Sequence, residues 1–260
     1  MFDAADLRLV DFEVHDPPLS LRKNVRYTRH ELKQDKFAER TADAVHWTVE
    51  HRSKIISISI AVAVILALAL GGWWYMNRRE AQAQVALGQA LLINSSPLRP
   101  ASIPADPNVP SFTSVAERAK AAKEAFNKVA DQYGWTRSGQ FARYFAALAE
   151  QDLGNTQAAE QQLKATADSR NADVASLSKF ALSTLYRSSN READAVRLLK
   201  ELIDKPTMSV PKVTAQLQLA ELYEPKQPQE ARKMYEQIAK EDPKGMAGQV
   251  ATQKTQQLAK

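Results

Sequence analysis

The sequence predicts an all-α protein: a single transmembrane helix followed by an α-solenoid of about three to four helix pairs. One sign is a run of 23 residues without a formal charge between Lys54 and Arg78, and a second is a set of segments beyond it that repeat every 36 residues. A third is the proline distribution, because proline interrupts helices and residues 19–96 and 111–205 contain none. The chain is therefore expected to be helical almost throughout.

The uncharged run has the length and composition of a membrane span. A bilayer core requires about 20 predominantly apolar residues in a helix, and Ile55–Trp74 supplies 20. A helix of a soluble protein would carry polar positions in each turn. A cleaved signal peptide is the alternative, since Ala67-Leu68-Ala69 has the small-x-small form of a cleavage site. Signal cores are shorter, about 7–15 residues, and begin near the N-terminus, so we predict a retained transmembrane helix over residues 55–76.

Aromatic and basic residues flank this run as they do at membrane–water interfaces. The predicted interface residues are Lys54, Trp73, Trp74, Tyr75, Arg78 and Arg79. Lysine and arginine resist translocation, and residues 22–54 hold nine of them against three in residues 77–109. Within the nearest 20 residues on each side, four basic residues precede the span and two follow it. The N-terminus is therefore predicted to be cytoplasmic and the C-terminal part to be exported.

The part before the span divides into two predicted segments. Residues 1–27 mix charges with Pro17-Pro18 and predict a disordered cytoplasmic tail. Residues 28–54 predict a cytoplasmic amphipathic helix, with a capping box of Thr28 and Glu31 and an apolar side chain or threonine at every fourth position from Phe37. Its apolar stripe fits either the membrane surface or a partner protein. "HELKQ" within it lacks the second histidine of a zinc-binding HExxH motif, so no metal site is expected.

Composition argues against catalysis by the exported part. The chain has no cysteine, and its four histidines (15, 30, 46 and 51) all precede the span. Acid–base, nucleophilic and metal chemistry rely most often on these two residue types. The net charge of +5 resides beyond residue 76 without a dense basic cluster, which disfavours nucleic acid as a partner. We therefore expect neither enzyme activity, nor a cofactor, nor a small-molecule substrate.

Three segments of the exported part align at a fixed spacing: "NTQAAEQQLKAT", "NREADAVRLLKEL" and "QPQEARKMYEQIAKEDP". Small residues at a helix crossing let two backbones approach, and large ones fill the space between successive helix pairs. The aligned positions are Ala159, Ala195 and Ala231, then Leu163, Leu199 and Tyr235, then Thr166, Leu202 and Ile238; the small residues Ala147, Ser183 and Ala220 precede them. This order predicts consecutive helical hairpins.

The pattern resembles the tetratricopeptide (TPR) repeat, at 36 rather than about 34 residues. It departs from that repeat at Glu150, where an aromatic residue is usual, and at Thr166, where an apolar one is. An imperfect additional unit consists of "AQAQVALGQALL", with Gly88 as its small residue, and "AERAKAAKEAFNKVADQYG", with a proline-rich loop at 94–114 inserted between them. Residues 77–260 are therefore predicted to form a TPR-like domain.

The whole arrangement resembles the YfgM-like family, the ancillary subunit of the bacterial SecYEG translocon. The segments that carry the resemblance are "AVHWTVEHRSKI", "GGWWYMNRREAQAQVALGQAL" and "FNKVADQYGWTRSGQFARYFAALAEQDLGNTQAAEQQL". The resemblance implies a single-pass protein of the bacterial inner membrane with a periplasmic scaffold or chaperone domain. Its implied partners are the Sec translocon, periplasmic chaperones and exported client proteins. The arm before residue 44 is longer than the family leads us to expect.

In TPR solenoids the first helix of each pair lines a groove that binds peptides. The predicted groove residues are Phe141, Tyr144, Leu177, Phe180, Arg187, Leu217 and Glu221. Tyr144 and Phe180, at equivalent positions in successive repeats, are the candidate aromatic anchors, with packing between repeats as the alternative role. Two other functions stay open: a scaffold for outer-membrane, cell-wall or division assembly, and a single-pass signalling regulator with a cytoplasmic arm.

Overall fold

The computed structural model of the chain describes residues 52–104, 106 and 109–259. The predicted disordered tail (1–27) and the predicted cytoplasmic helix up to residue 51 lie outside these residues. The described residues fall into two compact units, divided between Leu68 and Ala69.

Helices make up the regular structure of the described residues, which contain no β-strand. They are α1 (Arg52–Asn94), α2 (Val115–Tyr133), α3 (Arg137–Asp152), α4 (Thr156–Ala167), α5 (Ala172–Ser188), α6 (Glu192–Asp204), α7 (Lys212–Tyr223), α8 (Pro228–Glu241) and α9 (Met246–Gln257). The predicted all-α class, with a long apolar helix preceding a helical repeat domain, is confirmed.

The apolar run lies in α1 and is not covered by protein. Large apolar side chains from Ile56 to Met76 are between 47 % and 71 % exposed. Within the described part of the chain, α1 is the one helix with a segment long and apolar enough to cross a bilayer. Soluble proteins rarely expose an apolar surface of this extent, so α1 is compatible with a single-pass membrane anchor.

The repeat domain packs its helices in chain order, each against the next. The C-terminal part of α1 joins α2 and α3 around Phe126, where Ala83 and Ala90 are buried. The pairs α3–α4, α5–α6 and α7–α8 follow, and α9 packs against α8 at the end of the domain. Helix α3 also contacts α5, and α7 contacts α9; this packing of each repeat against the next is the arrangement of a solenoid.

The repeated alanines lie at the helix crossings. Ala159, Ala195 and Ala231 are each 0 % exposed, in α4, α6 and α8 respectively. The large residues four positions later, Leu163, Leu199 and Tyr235, are at most 1 % exposed. A side chain larger than alanine at these crossings would push the helices apart, which explains why alanine recurs at this position of each repeat.

The proline-rich loop connects α1 to α2. Its two arms meet where the backbone N–H of Arg99 donates to the carbonyl of Phe112 at 2.8 Å, and Arg118 Nη1 donates to the carbonyl of Ser96 at 3.2 Å. Helix α2 begins at an N-cap, Ser114, whose hydroxyl accepts from the N–H of Glu117. The loop is thus tied to α2 at its base.

Candidate protein-binding surface

Three of the predicted groove residues border one apolar cluster. Tyr144 on α3 and Leu177 and Phe180 on α5 are half-buried against the cluster that contains Leu182 and Leu185. Burial raises the pKa of the Tyr144 hydroxyl. Each side chain therefore packs between repeats with one part and leaves another part accessible.

The other two apolar groove residues lie apart from these three. The ring of Phe141 on α3 is half-buried, with the guanidinium of Arg137 5.8 Å from its centroid. Leu217 on α7 packs against a different cluster, which contains Tyr235 and Ile238. The predicted groove residues thus border more than one apolar cluster.

The charged groove residues pair with each other. Arg187 on α5 and Glu221 on α7 are 3.7 Å apart, with 43 % and 33 % of their side chains exposed. Ion pairs this accessible contribute about 0–1 kcal/mol to stability. Both groups therefore remain available to a charged partner at little cost to the fold.

Glu150 occupies a position at which aromatic residues are usual, and it is only 7 % exposed. Asn155 Nδ2 donates to its carboxylate at 2.8 Å, and Lys123 on α2 forms an ion pair with it at 3.2 Å. The hydrogen bond from Asn155, and secondarily Lys123, holds the pKa of Glu150 below its ordinary value. The carboxylate is therefore charged and has partners on both sides.

Thr166, the second departure from the repeat pattern, is likewise satisfied. The hydroxyl of Ser178 on α5, which is 0 % exposed, donates to Thr166 Oγ1 at 2.8 Å. Thr166 Oγ1 lies within hydrogen-bonding distance of the carbonyls of Gln162 and Leu163. Each of the two hydroxyls therefore has a hydrogen-bond partner where α4 meets α5.

A charge cluster, not identified from sequence, joins two successive repeats. Arg191 donates two hydrogen bonds to the carboxylate of Glu160, at 3.0 and 2.6 Å, and Lys164 Nζ lies 2.7 Å from the same group. The Arg191 guanidinium also lies 4.0 Å from the ring centroid of Tyr186. Arg191, with Lys164, lowers the pKa of Glu160 to about 2. These contacts tie α4 to the turn between α5 and α6.

The predicted membrane-interface residues divide into exposed side chains and side chains that contact the repeats. Lys54, Trp73 and Trp74 are exposed, and the guanidinium of Arg78 lies 5.4 Å from the Trp74 ring centroid. Arg79 instead turns inward and is half-buried.

Glu80, a residue not singled out from the sequence, caps the start of α3. Its carboxylate accepts from the backbone N–H groups of Arg137 and Ser138 at 2.8 and 3.2 Å, and from the Ser138 hydroxyl at 2.6 Å. A carboxylate at a helix N-terminus accepts hydrogen bonds from the free N–H groups and interacts favourably with the positive end of the helix dipole. Gly139 belongs to the same junction, because a Cβ there would lie 2.0 Å from the carbonyl oxygen of Tyr133. The sequence "YGWTRSG" indicates the turn before α3. Nothing in the sequence indicates that Glu80, 57 residues before Arg137, caps this helix.

A cleft of ≈ 440 Å³ lies elsewhere, between the start of α5 and the end of α6. Its lining includes the ion pair of Lys179 and Glu201, 2.9 Å apart, and none of the predicted groove residues. In the described part of the chain, no three His, Cys, Asp or Glu side chains come together as a metal site would require. The surface thus presents paired charges and half-buried apolar side chains.

Comparison with known proteins bears on the family. Neither a curated protein nor a solved structure matches the chain. The family model for the tetratricopeptide repeat-like domain matches residues 46–260, which include every helix described above. The chain therefore belongs to the tetratricopeptide repeat-like domain family.

Proposed function

We propose that this protein is a membrane-anchored TPR scaffold associated with the Sec translocon, which binds newly exported proteins or periplasmic chaperones. Membership of the repeat family indicates a protein-interaction scaffold, since TPR domains are typically non-catalytic binding modules. The observation that carries the anchoring is that one helix, α1, holds the uncovered apolar run and also contributes Ala83 and Ala90 to the repeat core. The scaffold would therefore begin directly at the membrane.

The sidedness of the proposal rests on the flanking charges. Nine basic residues precede the span and three follow it within windows of equal length, which favours a cytoplasmic N-terminus and a periplasmic repeat domain in a bacterial inner membrane. The translocon as partner rests on the resemblance to the YfgM-like family. A scaffold at that place would meet chains as they leave the channel.

The binding surface of the proposal is the face of the first helices. Tyr144, Leu177 and Phe180 offer partly accessible apolar surface, and the accessible pair of Arg187 and Glu221 lies between α5 and α7. Apolar anchors beside charges that can exchange partners suit a segment of unfolded chain or a helix of a chaperone.

Sidedness can be tested directly because the chain contains no cysteine. A single Lys200→Cys substitution on the exposed surface of α6 provides a label site in the repeat domain, and Asp35→Cys provides one before the span. We expect a membrane-impermeant maleimide to label Lys200→Cys in cells with a permeabilised outer membrane, and Asp35→Cys only after lysis. The reverse result would refute the proposed orientation.

The partner can be tested by placing a photoreactive phenylalanine analogue at Phe180, with the same analogue at Lys200 as a matched control away from the first helices. We expect crosslinks to exported chains or periplasmic chaperones from Phe180 and markedly fewer from Lys200. Affinity purification in mild detergent should recover the translocon. Recovery of only cell-wall synthases, or of only a cytosolic regulator bound to residues 1–50, would overturn the proposal.

A further inference from the structure

The turn between α2 and α3 is held against α1 by three contacts that follow one another along α1. The ring of Tyr75 stacks on the indole of Trp135, with centroids 6.2 Å apart and planes 11° from parallel. One helical turn later, the guanidinium of Arg79 lies 5.1 Å from the ring centroid of Tyr133. Glu80 then caps α3. Trp135 is therefore the residue of this turn that lies nearest the aromatic end of the apolar run.

Trp135 is not covered by the protein. Its side chain is 48 % exposed, and those of Trp73 and Trp74 are 67 % and 58 % exposed. Trp73 and Trp135 line one cleft of ≈ 280 Å³, together with Met76 and Arg137. Tryptophan combines an apolar ring with an N–H donor and concentrates at the headgroup level of membranes. Trp73 of α1 and Trp135 of the α2–α3 turn thus lie on one surface.

A basic group lies on the same surface, because Arg137 lines this cleft. The side chain of Arg137 is 65 % exposed and forms an ion pair with Asp173 at 3.2 Å. At the end of the apolar run, the exposed Arg78 lies over Trp74. Guanidinium groups bind phosphate oxygens with two parallel hydrogen bonds. Aromatic rings with arginines beside them match the chemistry of a phospholipid headgroup layer.

We propose that the α2–α3 turn is a second membrane contact, in which Trp135 enters the headgroup layer beside Trp73 and Trp74 and Arg137 meets lipid phosphate. The inference rests on the proposed membrane anchoring of α1 and adds to it a contact made by the repeat domain. The phospholipid is favoured as the occupant because the surface continues the aromatic belt at the end of the span. Two separated contacts restrict the tilt of the repeats, so the face of the first helices keeps one orientation to the bilayer.

Tryptophan fluorescence in the full chain can test this contact, since the sequence has four tryptophans, Trp47, Trp73, Trp74 and Trp135. A variant with Trp47→Phe, Trp73→Phe and Trp74→Phe retains Trp135 alone. A matched variant with Trp47→Phe, Trp73→Phe and Trp135→Phe retains Trp74 alone. Both are reconstituted in vesicles of phosphatidylethanolamine and phosphatidylglycerol that contain phospholipids brominated on the acyl carbons near the headgroup. Circular dichroism checks that each variant stays folded.

We expect brominated lipid to quench Trp135 to within about twofold of the quenching of Trp74, because both would lie at the headgroup level. Quenching of Trp74 without quenching of Trp135 would overturn the second contact and leave the anchor intact; a surface reserved for a protein partner would give this result. Absence of quenching for both would overturn the anchor as well. The two failures are therefore distinguishable.

Discussion

At the position where α5 carries Tyr186, α3 carries Glu150, and where α6 carries Leu202, α4 carries Thr166. All four residues are at most 7 % exposed. The α5–α6 repeat fills these positions with apolar volume, whereas the α3–α4 repeat fills them with polar groups that have partners on neighbouring elements. The repeat therefore requires filled volume and satisfied polar groups at these positions, not apolarity as such.

The apolar and the polar side chains at these positions differ in how strictly they fix the positions of their neighbours. Apolar contact is non-directional and tolerates small shifts, while Glu150 requires Lys123 on α2 and Asn155 after α3 to be in place. The α3–α4 repeat therefore fixes the positions of its neighbouring elements through directional contacts. The α5–α6 repeat contributes more of the free energy gained by burying apolar surface. Substitutions at matching positions should separate these contributions.

The largest effect is expected at the apolar position. Leu202→Ala removes a 2 % exposed side chain from α6 and leaves a cavity, so the free energy of unfolding should fall by about 3 kcal/mol. Urea denaturation of the full chain in mild detergent, followed by circular dichroism, measures it. The exposed Lys200→Ala on the same helix is the control, and equal losses in the two variants would contradict the burial argument.

A smaller loss is expected at the polar position. Glu150→Ala leaves Asn155 without its acceptor and Lys123 without its ion pair, at a cost of about 2 kcal/mol. Glu150→Gln retains the volume and an acceptor for Asn155, so its loss should be intermediate. The same denaturation measures both variants, with the exposed Glu230→Ala as control. A Glu150→Ala loss no greater than the control would show that the buried carboxylate is not structurally required.

The charge cluster between the repeats should give a pH-dependent loss. Glu160→Gln should cost about 1 kcal/mol at neutral pH. Because the pKa of Glu160 is lowered from 4.5 to about 2 in the folded protein, the stabilisation is fully present above pH 4.5 and is lost as the pH falls towards 2. The stability difference between wild type and Glu160→Gln should therefore shrink across that interval. A difference that stays constant would refute the assignment, and Glu230→Gln serves as the control.

The smallest effect is expected at Thr166. In Thr166→Val the hydroxyl of Ser178 can still donate to the carbonyl of Val174, 2.8 Å away, so the loss should stay below about 1 kcal/mol. Adding Ser178→Ala tests the coupling in a double-mutant cycle. A coupling energy of zero would mean that the two hydroxyls act independently, and Thr184→Val on the less buried face of α5 is the matched control.

Much of the architecture follows from the sequence alone. The uncharged run, the proline-free stretches and alanines 36 residues apart predict the long helix and the repeats, because hydrophobic length, helix interruption and close crossing depend on residue type and spacing. The tertiary structure decided the rest. That Phe180 packs partly against the core cluster, that Glu150 is tolerated, and that Glu80 caps α3 all depend on partners from other elements.

The difference between the features that the sequence predicts and those that only the assembled domain determines has a physical reason. Periodic packing places the same residue types at a fixed spacing, so the sequence alone reveals it. A hydrogen bond or a ring contact between elements instead needs atoms placed within a few tenths of an ångström. Tyr75 and Trp135 lie far apart in the sequence, and no spacing rule brings them together. Their stacking follows from the way α2 and α3 pack on α1, and only the assembled domain determines that packing.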